Sequence, residues 1–361
     1  MSRPGRLVSC PVPPTVLPAA TPAQPKPTSA VVVTRLVRQP GVWGPATADA
    51  RAALRRRVAL VLELSKPRIT RLVTLTAAIG FVLSLFGRAW GSADLALTAA
   101  GCALGTALSA AGANTLNQWW ERRRDGLMRR TATRPLPTGR VSPFGAAAIG
   151  ALLSLCGCAT LTLCCGLAPA GVSALTIAVY VLLYTPIKPL TPLSTLVGAV
   201  PGALPPLIGW TAAANTAGPV VSAAGLAELG GWSLFVLMFV WQVPHFLAIA
   251  WMHREEYARG GFRMLPLFDP SGRFTSLTIV LWSALLLPAT LAPAWILPDR
   301  LAMPYILTAS ITGGMFLAMA ARLLYSPDRG AARALFIASI VHLPVLLLAM
   351  SLEVLLRMLL R

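Results

Sequence analysis

Apolar runs too long for a soluble core recur from residue 69 almost to the end of the chain, and they limit the fold more than any other feature. Nine can be drawn, at 69–87, 95–118, 143–164, 167–184, 195–214, 231–252, 274–297, 302–324 and 333–356. A helix rises ~1.5 Å per residue, so about 20 apolar residues cross a hydrocarbon core of ~30 Å. Lipid offers the backbone no hydrogen bonds, so a spanning segment satisfies its own as a helix or joins a closed barrel. Continuous runs of this length read as helices. Only 12% of the 361 residues are charged while 56% are hydrophobic, and soluble domains carry about twice that charge. The fold class is therefore all-α, a polytopic membrane protein with nine helices in a bundle. Many runs are rich in Gly and Ala, which lets helices approach closely where no hydrophobic force pulls them together. Pro201, Pro205 and Pro206 should bend the fifth span, since each removes a backbone donor.

Residues 1–58 are rich in Pro, Ala, Thr, Val and Arg and close with Arg55-Arg56-Arg57. This composition cannot bury a core and reads as a disordered tail. It lacks the apolar centre and small-residue cleavage site of a signal peptide, so a cytoplasmic tail is expected. Residues 59–361 carry the spans. The formal charge of +19 sits in short loops between spans, without the aromatic and basic interleaving that stacks bases, which excludes nucleic acid as the partner. Arginines crowd the loop after the second span, with Lys188 after the fourth and Arg254, Arg259, Arg263 and Arg273 after the sixth. The opposite loops hold just Arg88 and Arg300. The bias predicts the amino terminus inside and the carboxyl terminus outside. Cys102, Cys156, Cys158, Cys164 and Cys165 fall in or beside spans and read as small hydrophobes.

The acids are few, twelve in all, yet Glu121 and Asp125 stand among seven arginines between residues 117 and 140. If the second span continues as a helix, Asn117, Glu121 and Asp125 recur every four residues and line one face. Oxygen donors in that order suit Mg²⁺, which keeps several waters and is shared with substrate phosphates. Flanking arginines would grip those phosphates through forked hydrogen bonds. The same acids could equally neutralise neighbouring arginines on a solvated helix end, and the spacing alone leaves both readings open.

The run that follows weights the first. Asp125-x-x-Met128-x-Arg130-Thr131-x-x-Arg134-Pro135-x-Pro137-x-Gly139-Arg140 resembles the first signature of the heme O synthases. These are protoheme IX farnesyltransferases of the UbiA superfamily of intramembrane prenyltransferases. ELSKPRIT at 63–70, YTPIKPLTPLSTLVGAVPGALPPLIGW at 184–210, WQVPHFLAIAW at 241–251 and EEYARGGFRMLP at 255–266 resemble further stretches of that family. The resemblance implies a nine-helix bundle around a central cavity open to the cytoplasmic side. It implies transfer of farnesyl from farnesyl diphosphate to a vinyl group of heme B, with water added, giving heme O for terminal oxidases. Asn117, Glu121 and Asp125 would be the catalytic face that holds Mg²⁺. Arg130, Arg134, Arg140 and Lys188 would bind the diphosphate, with Lys66 and Arg68 as weaker candidates. Three positions depart from the family pattern. Glu121 stands where Asp is usual, Arg123 replaces a frequent acid, and Glu256-Tyr257 replaces Asp-Tyr.

His245 and Gln242, inside the sixth span, are expected to face the substrate cavity, and Glu256 and Tyr257 to complete a second polar cluster with them. His245 would ligate heme iron or orient the porphyrin. His342 reads as an interhelical hydrogen-bonding group, and His253 as solvated. Arg254 could pair with a propionate or serve as topology charge. Trp90 and Trp232 are expected at the membrane interfaces, with Trp119, Trp120, Trp210 and Trp241 as candidate cavity walls. Expected partners are the two substrates, the lipid bilayer and, downstream, heme A synthase or terminal oxidase assembly proteins. The expected location is a bacterial plasma (inner) membrane. The competing functions are a prenyltransferase acting on a quinone precursor, a transporter, and an assembly protein without activity. Acids gathered at helix ends rather than at mid-membrane weigh against the transporter.

Overall fold

The computed structural model describes residues 46–215 and 223–360, and from Ala50 onward the chain forms one compact unit. Among the described residues nine helices are long and apolar enough to cross a membrane. In chain order the main elements are α1 (Ala46–Leu64), α2 (Pro67–Leu85), α3 (Ser92–Asp125), α4 (Pro143–Cys165), α5 (Leu167–Ile187) and α6 (Ser194–Ala214). They continue with α7 (Leu229–Met252), α8 (Arg254–Arg259), α9 (Arg273–Ile296), α10 (Met303–Tyr325) and α11 (Arg329–Leu359). The spans are α2 to α7 and α9 to α11, and the chain is a multi-pass membrane protein. Most of the expected tail lies outside the described residues. Its last part, residues 46–58, is helical within α1, because ATADARAALRRRVALVLEL consists almost wholly of strong helix formers.

Small residues set the closest contacts. On α3 and α4, Gly105 and Gly112 face Gly157 and Gly150, and Ser109 and Ser154 fill what space remains. A Cβ on Gly112 or Gly157 would overlap a serine hydroxyl of the other helix. Between α2 and α6, Gly80 lies on the Pro206 carbonyl and Gly209 on the Ala77 carbonyl, again without room for a Cβ. The prolines act as expected. The α6 helix breaks at Leu204 into Ser194–Ala203 and Pro205–Ala214. The α5 helix carries a π-helical turn over Val179–Tyr184, and such turns are frequent at functional sites.

The two ends of the bundle differ. At one end Arg88 grips both oxygens of Glu228 at 2.6 Å, Trp210 Nε1 donates to Glu228 at 2.9 Å, and Arg300 lies 5.2 Å over the Trp210 ring. These groups close that end. At the other end the carboxyl ends of α3, α5 and α7 and the amino end of α2 surround a cavity.

Candidate active site

The cavity has a volume of about 710 Å³ and runs from a charged mouth into an apolar interior. The α3 helix continues well past the apolar run, to Asp125, so Asn117, Glu121 and Asp125 do share one face and line the mouth. They are buried, at 1, 5 and 1% exposure, so the solvated-helix-end alternative does not describe them. Each has a partner from another segment. Lys66 Nζ donates to Asn117 Oδ1 at 2.7 Å, and Asn117 Nδ2 donates to Thr185 Oγ1 at 3.0 Å. Lys188 Nζ donates to Glu121 Oε1 at 2.9 Å, and Arg134 Nη1 lies 2.8 Å from both oxygens of Asp125. Thr131 caps the turn by donating to the Asp125 carbonyl at 2.8 Å. This is how the signature loop folds back to bring Arg134 over its own helix end.

Five cations (Lys66, Arg68, Arg130, Arg134 and Lys188) and two carboxylates line the mouth, a surplus of positive charge that suits an anion. Burial, reinforced by Arg134 nearby, pulls the Lys66 ammonium down to about 7. Lys66 is also the one non-glycine residue with positive φ, 48°, among the described residues. That conformation costs on the order of 1–3 kcal/mol and persists only where the surroundings impose it. Burial would lower Lys188 as well, but Glu121 outweighs it and holds the ammonium well above its usual range. Lys188 Nζ lies 4.5 Å from the Tyr184 ring centre, and Tyr184 stacks on Tyr180 at 5.6 Å. Neither tyrosine was singled out from the sequence. The spacing Tyr180, Tyr184, Lys188 carries the same every-fourth-residue signal as Asn117, Glu121 and Asp125, but it sits inside the apolar run VYVLLY.

Two expected site residues lie elsewhere. Arg140 forms a two-armed pair with Glu63 at 2.7 Å, half-exposed and outside the cavity lining, because Gly139 at φ 71° turns the chain away. Glu256 is also outside the lining; it accepts the Arg129 backbone N–H at 2.8 Å and pairs with Arg259. Its neighbour Tyr257 does reach the cavity, as do Gln242 and His245. Of the tryptophans proposed as walls, only Trp241 lines the cavity; His342 packs on Phe316 away from it.

Gln242 is held by its amide, which donates to the carbonyls of Met238 and Ala199 at 3.0 and 3.3 Å. His245 is sandwiched between Trp241 at 4.7 Å and Phe336 at 5.3 Å, with Nδ1 2.6 Å from Ser339 Oγ. Ser339 Oγ lies as close to the Phe336 carbonyl, at 2.6 Å. The tautomer decides which of Nδ1 and the Ser339 hydroxyl donates, and with the proton on Nδ1 the Nε2 lone pair is free.

Among the described residues no three His, Cys, Asp or Glu side chains converge on one metal position. The donor set at the mouth is two carboxylates and an amide oxygen. That fits Mg²⁺, which takes one or two carboxylates and completes its shell with water and phosphate, and does not fit a metal needing a full protein cage.

A family model described as the UbiA prenyltransferase family matches residues 73–343. The chain belongs to the UbiA prenyltransferase family. Curated relatives include a protoheme IX farnesyltransferase of Solibacter usitatus, 42% identical over 79% of this chain and 95% of that protein. Another, of Anaeromyxobacter dehalogenans, is 41% identical over 85% of this chain and 99% of that one. Among solved structures, one described for digeranylgeranylglyceryl phosphate synthase aligns with a TM-score of 0.66 at 17% identity, over 83% of this chain and 99% of that one. A UbiA homolog from Archaeoglobus fulgidus bound to GPP and Mg²⁺ aligns at 0.54 and 14% identity, over 81% and 99%. These likenesses establish the fold of this UbiA-family prenyltransferase.

Proposed function

We propose that this UbiA-family enzyme transfers farnesyl from farnesyl diphosphate to a vinyl group of heme B, with addition of water, forming heme O. The observation that carries this is a cation-rich mouth set directly over an apolar cavity that His245 also lines. The names of the curated relatives support heme as acceptor.

Lys66, Arg130, Arg134 and Lys188 bind the diphosphate. Asn117, Glu121 and Asp125 would hold Mg²⁺ in concert with the diphosphate and water; the ion, when bound, adds positive charge at the leaving oxygens. Arg134 and Lys188 neutralise the carboxylates in the absence of substrate and are placed to turn to it. The allylic C–O bond breaks toward these cations, and the vinyl electron pair forms the new C–C bond to the farnesyl C1. The positive charge left on the ring-attached vinyl carbon takes the oxygen of water, whose proton goes to the released diphosphate. Preorganised charge in a water-poor site stabilises this separation. Tyr180 and Tyr184 line the cavity beside the mouth, and the Tyr184 ring supports the Lys188 ammonium there. His245 Nε2 ligates the heme iron, and Phe246 and Phe336 flank the porphyrin. By the arginine bias, the mouth faces the cytoplasm of a bacterial plasma membrane. Heme O then passes to heme A synthase or to oxidase assembly.

Acceptor competition tests the reading. Enzyme in lipid nanodiscs receives farnesyl diphosphate, Mg²⁺ and equal amounts of heme B and a hydroxybenzoate quinone precursor. Mass spectrometry should find farnesyl on heme alone. Farnesyl on the aromatic ring instead would keep the family and overturn the acceptor.

A further inference from the structure

The Lys188 ammonium lies over two aromatic rings, and the second belongs to a segment that the chemistry above leaves without a part. Phe262, in the turn after α8, lines the cavity and is 4% exposed, and its ring centre is 5.5 Å from Lys188 Nζ. Tyr184 supports the same ammonium at 4.5 Å. Main-chain bonds fix the turn. The Phe262 N–H donates to the Tyr257 carbonyl and the Arg263 N–H to the Lys188 carbonyl, each at 3.0 Å. The ring and the ammonium are thus tied through adjoining backbone.

A further tie comes from α3. Arg124 Nη1 donates to the carbonyls of Gly260 and Gly261 at 3.1 and 3.3 Å, and the guanidinium lies 5.8 Å from the Phe262 ring centre. Gly261 has φ 66°, in the left-handed region that favours glycine. A Cβ there would come within 2.8 Å of Arg124 Nη1. Arg124 stands one residue before Asp125, off the face of Asn117, Glu121 and Asp125, and it does not line the cavity. Its guanidinium is engaged by the turn instead.

We propose that Phe262 and Arg124 are positioning residues for Lys188; this rests on the reading above that Lys188 binds the diphosphate. Arg124 fastens the turn at 260–262 to the end of α3, and the turn holds the Phe262 ring against the ammonium. A lysine carries its charge on a flexible four-carbon stem, and ordering such a stem costs entropy when an anion binds. Two rings and Glu121 fix the stem before the diphosphate arrives, so that cost falls on folding rather than on binding. The rings attract the cation through their faces without the lone pairs by which Glu121 competes with phosphate oxygens.

Two measurements on the full chain in lipid nanodiscs test this. The first is steady-state prenylation, with KM taken separately for farnesyl diphosphate and for heme B. Phe262→Leu and Arg124→Ala should each raise the KM for farnesyl diphosphate about tenfold, as loss of a desolvated cation–ring contact implies, and leave that for heme B within about twofold. Phe262→Tyr keeps the ring and should restore most of what Phe262→Leu loses. A role in folding alone would lower kcat through a smaller active fraction and move neither KM. The second is calorimetric titration with inorganic diphosphate and Mg²⁺, which needs no turnover. Phe262→Leu should weaken that binding about tenfold when Lys188 is present and less than about twofold in Lys188→Ala, because the ring acts through that ammonium. The two variants act from different elements, so one that fails to fold leaves the other to decide. An unchanged KM for farnesyl diphosphate, or an undiminished effect of Phe262→Leu without Lys188, would overturn the proposal. A wild type that binds no diphosphate would overturn the reading on which it rests, and the proposal with it.

Discussion

Arg134 and Arg140 stand in one signature, yet the structure gives them different work. Arg134 reaches both Asp125 oxygens inside the mouth, while Arg140 holds Glu63 outside it. Arg134→Lys keeps the charge but loses the fork and should cut kcat/KM for the prenyl diphosphate by roughly 10–100-fold. Arg140→Ala should leave the same constant within about threefold, since exposed pairs contribute little; steady-state kinetics on both variants checks the contrast. His245 carries a separate expectation. With Nδ1 hydrogen-bonded to Ser339, His245→Ala should remove the absorption of histidine-ligated heme, and Ser339→Ala should weaken it by loosening the ring. Optical titration with heme B reads both. At this scale the sequence showed the α3 face in full, because four-residue spacing survives any neighbours. It misplaced Arg140 and Glu256, because a linear motif does not record the turn at Gly139 or the backbone N–H that Glu256 accepts.

Nine spans were legible element by element, each within a few residues except where α3 carries on to Asp125. Hydropathy ends where the charges begin, whereas the helix ends where its hydrogen bonds do. Residues 46–58 were misread for a related reason: arginine-rich composition suggested disorder, though Ala, Leu and Arg all favour a helix. The α3–α4 seam gives the next prediction. A side chain on Gly112 meets Ser154 and the Gly150 backbone, so Gly112→Val should lower the midpoint of thermal unfolding in detergent by several degrees, from overpacking of about 1–3 kcal/mol. Gly314, with open space around it, should accept Ala without such a loss. The start of α9 predicts a pH effect. Burial would raise the Asp269 carboxyl, but the Thr275 N–H at 2.7 Å and the Ser271 hydroxyl at 3.0 Å outweigh it and hold it below its usual value. A lowered acid stabilises the fold above its unfolded pKa and loses that contribution as pH falls through the folded one. Asp269→Asn should therefore lower stability at neutral pH and flatten its fall under acid, as unfolding midpoints across pH will read.

For the whole molecule, the division of labour between the two ends matters most. One end is shut by Arg88, Glu228, Trp210 and Arg300; the other opens through charged residues into a cavity. Hydropathy shows how many helices there are but not which faces meet, so the cavity was reached from the sequence only through a family resemblance. The central claim is that the buried face of Asn117, Glu121 and Asp125, with the cations gathered on it, drives farnesyl transfer to heme. The most direct measurement is the mass of heme extracted after a reaction of heme B with farnesyl diphosphate and Mg²⁺, for wild type and for Asp125→Ala. The account predicts a heme heavier by one farnesyl and one water from the wild type. It predicts almost none with EDTA or from folded Asp125→Ala. The same product in equal yield from the variant, or none from folded wild type, would contradict it.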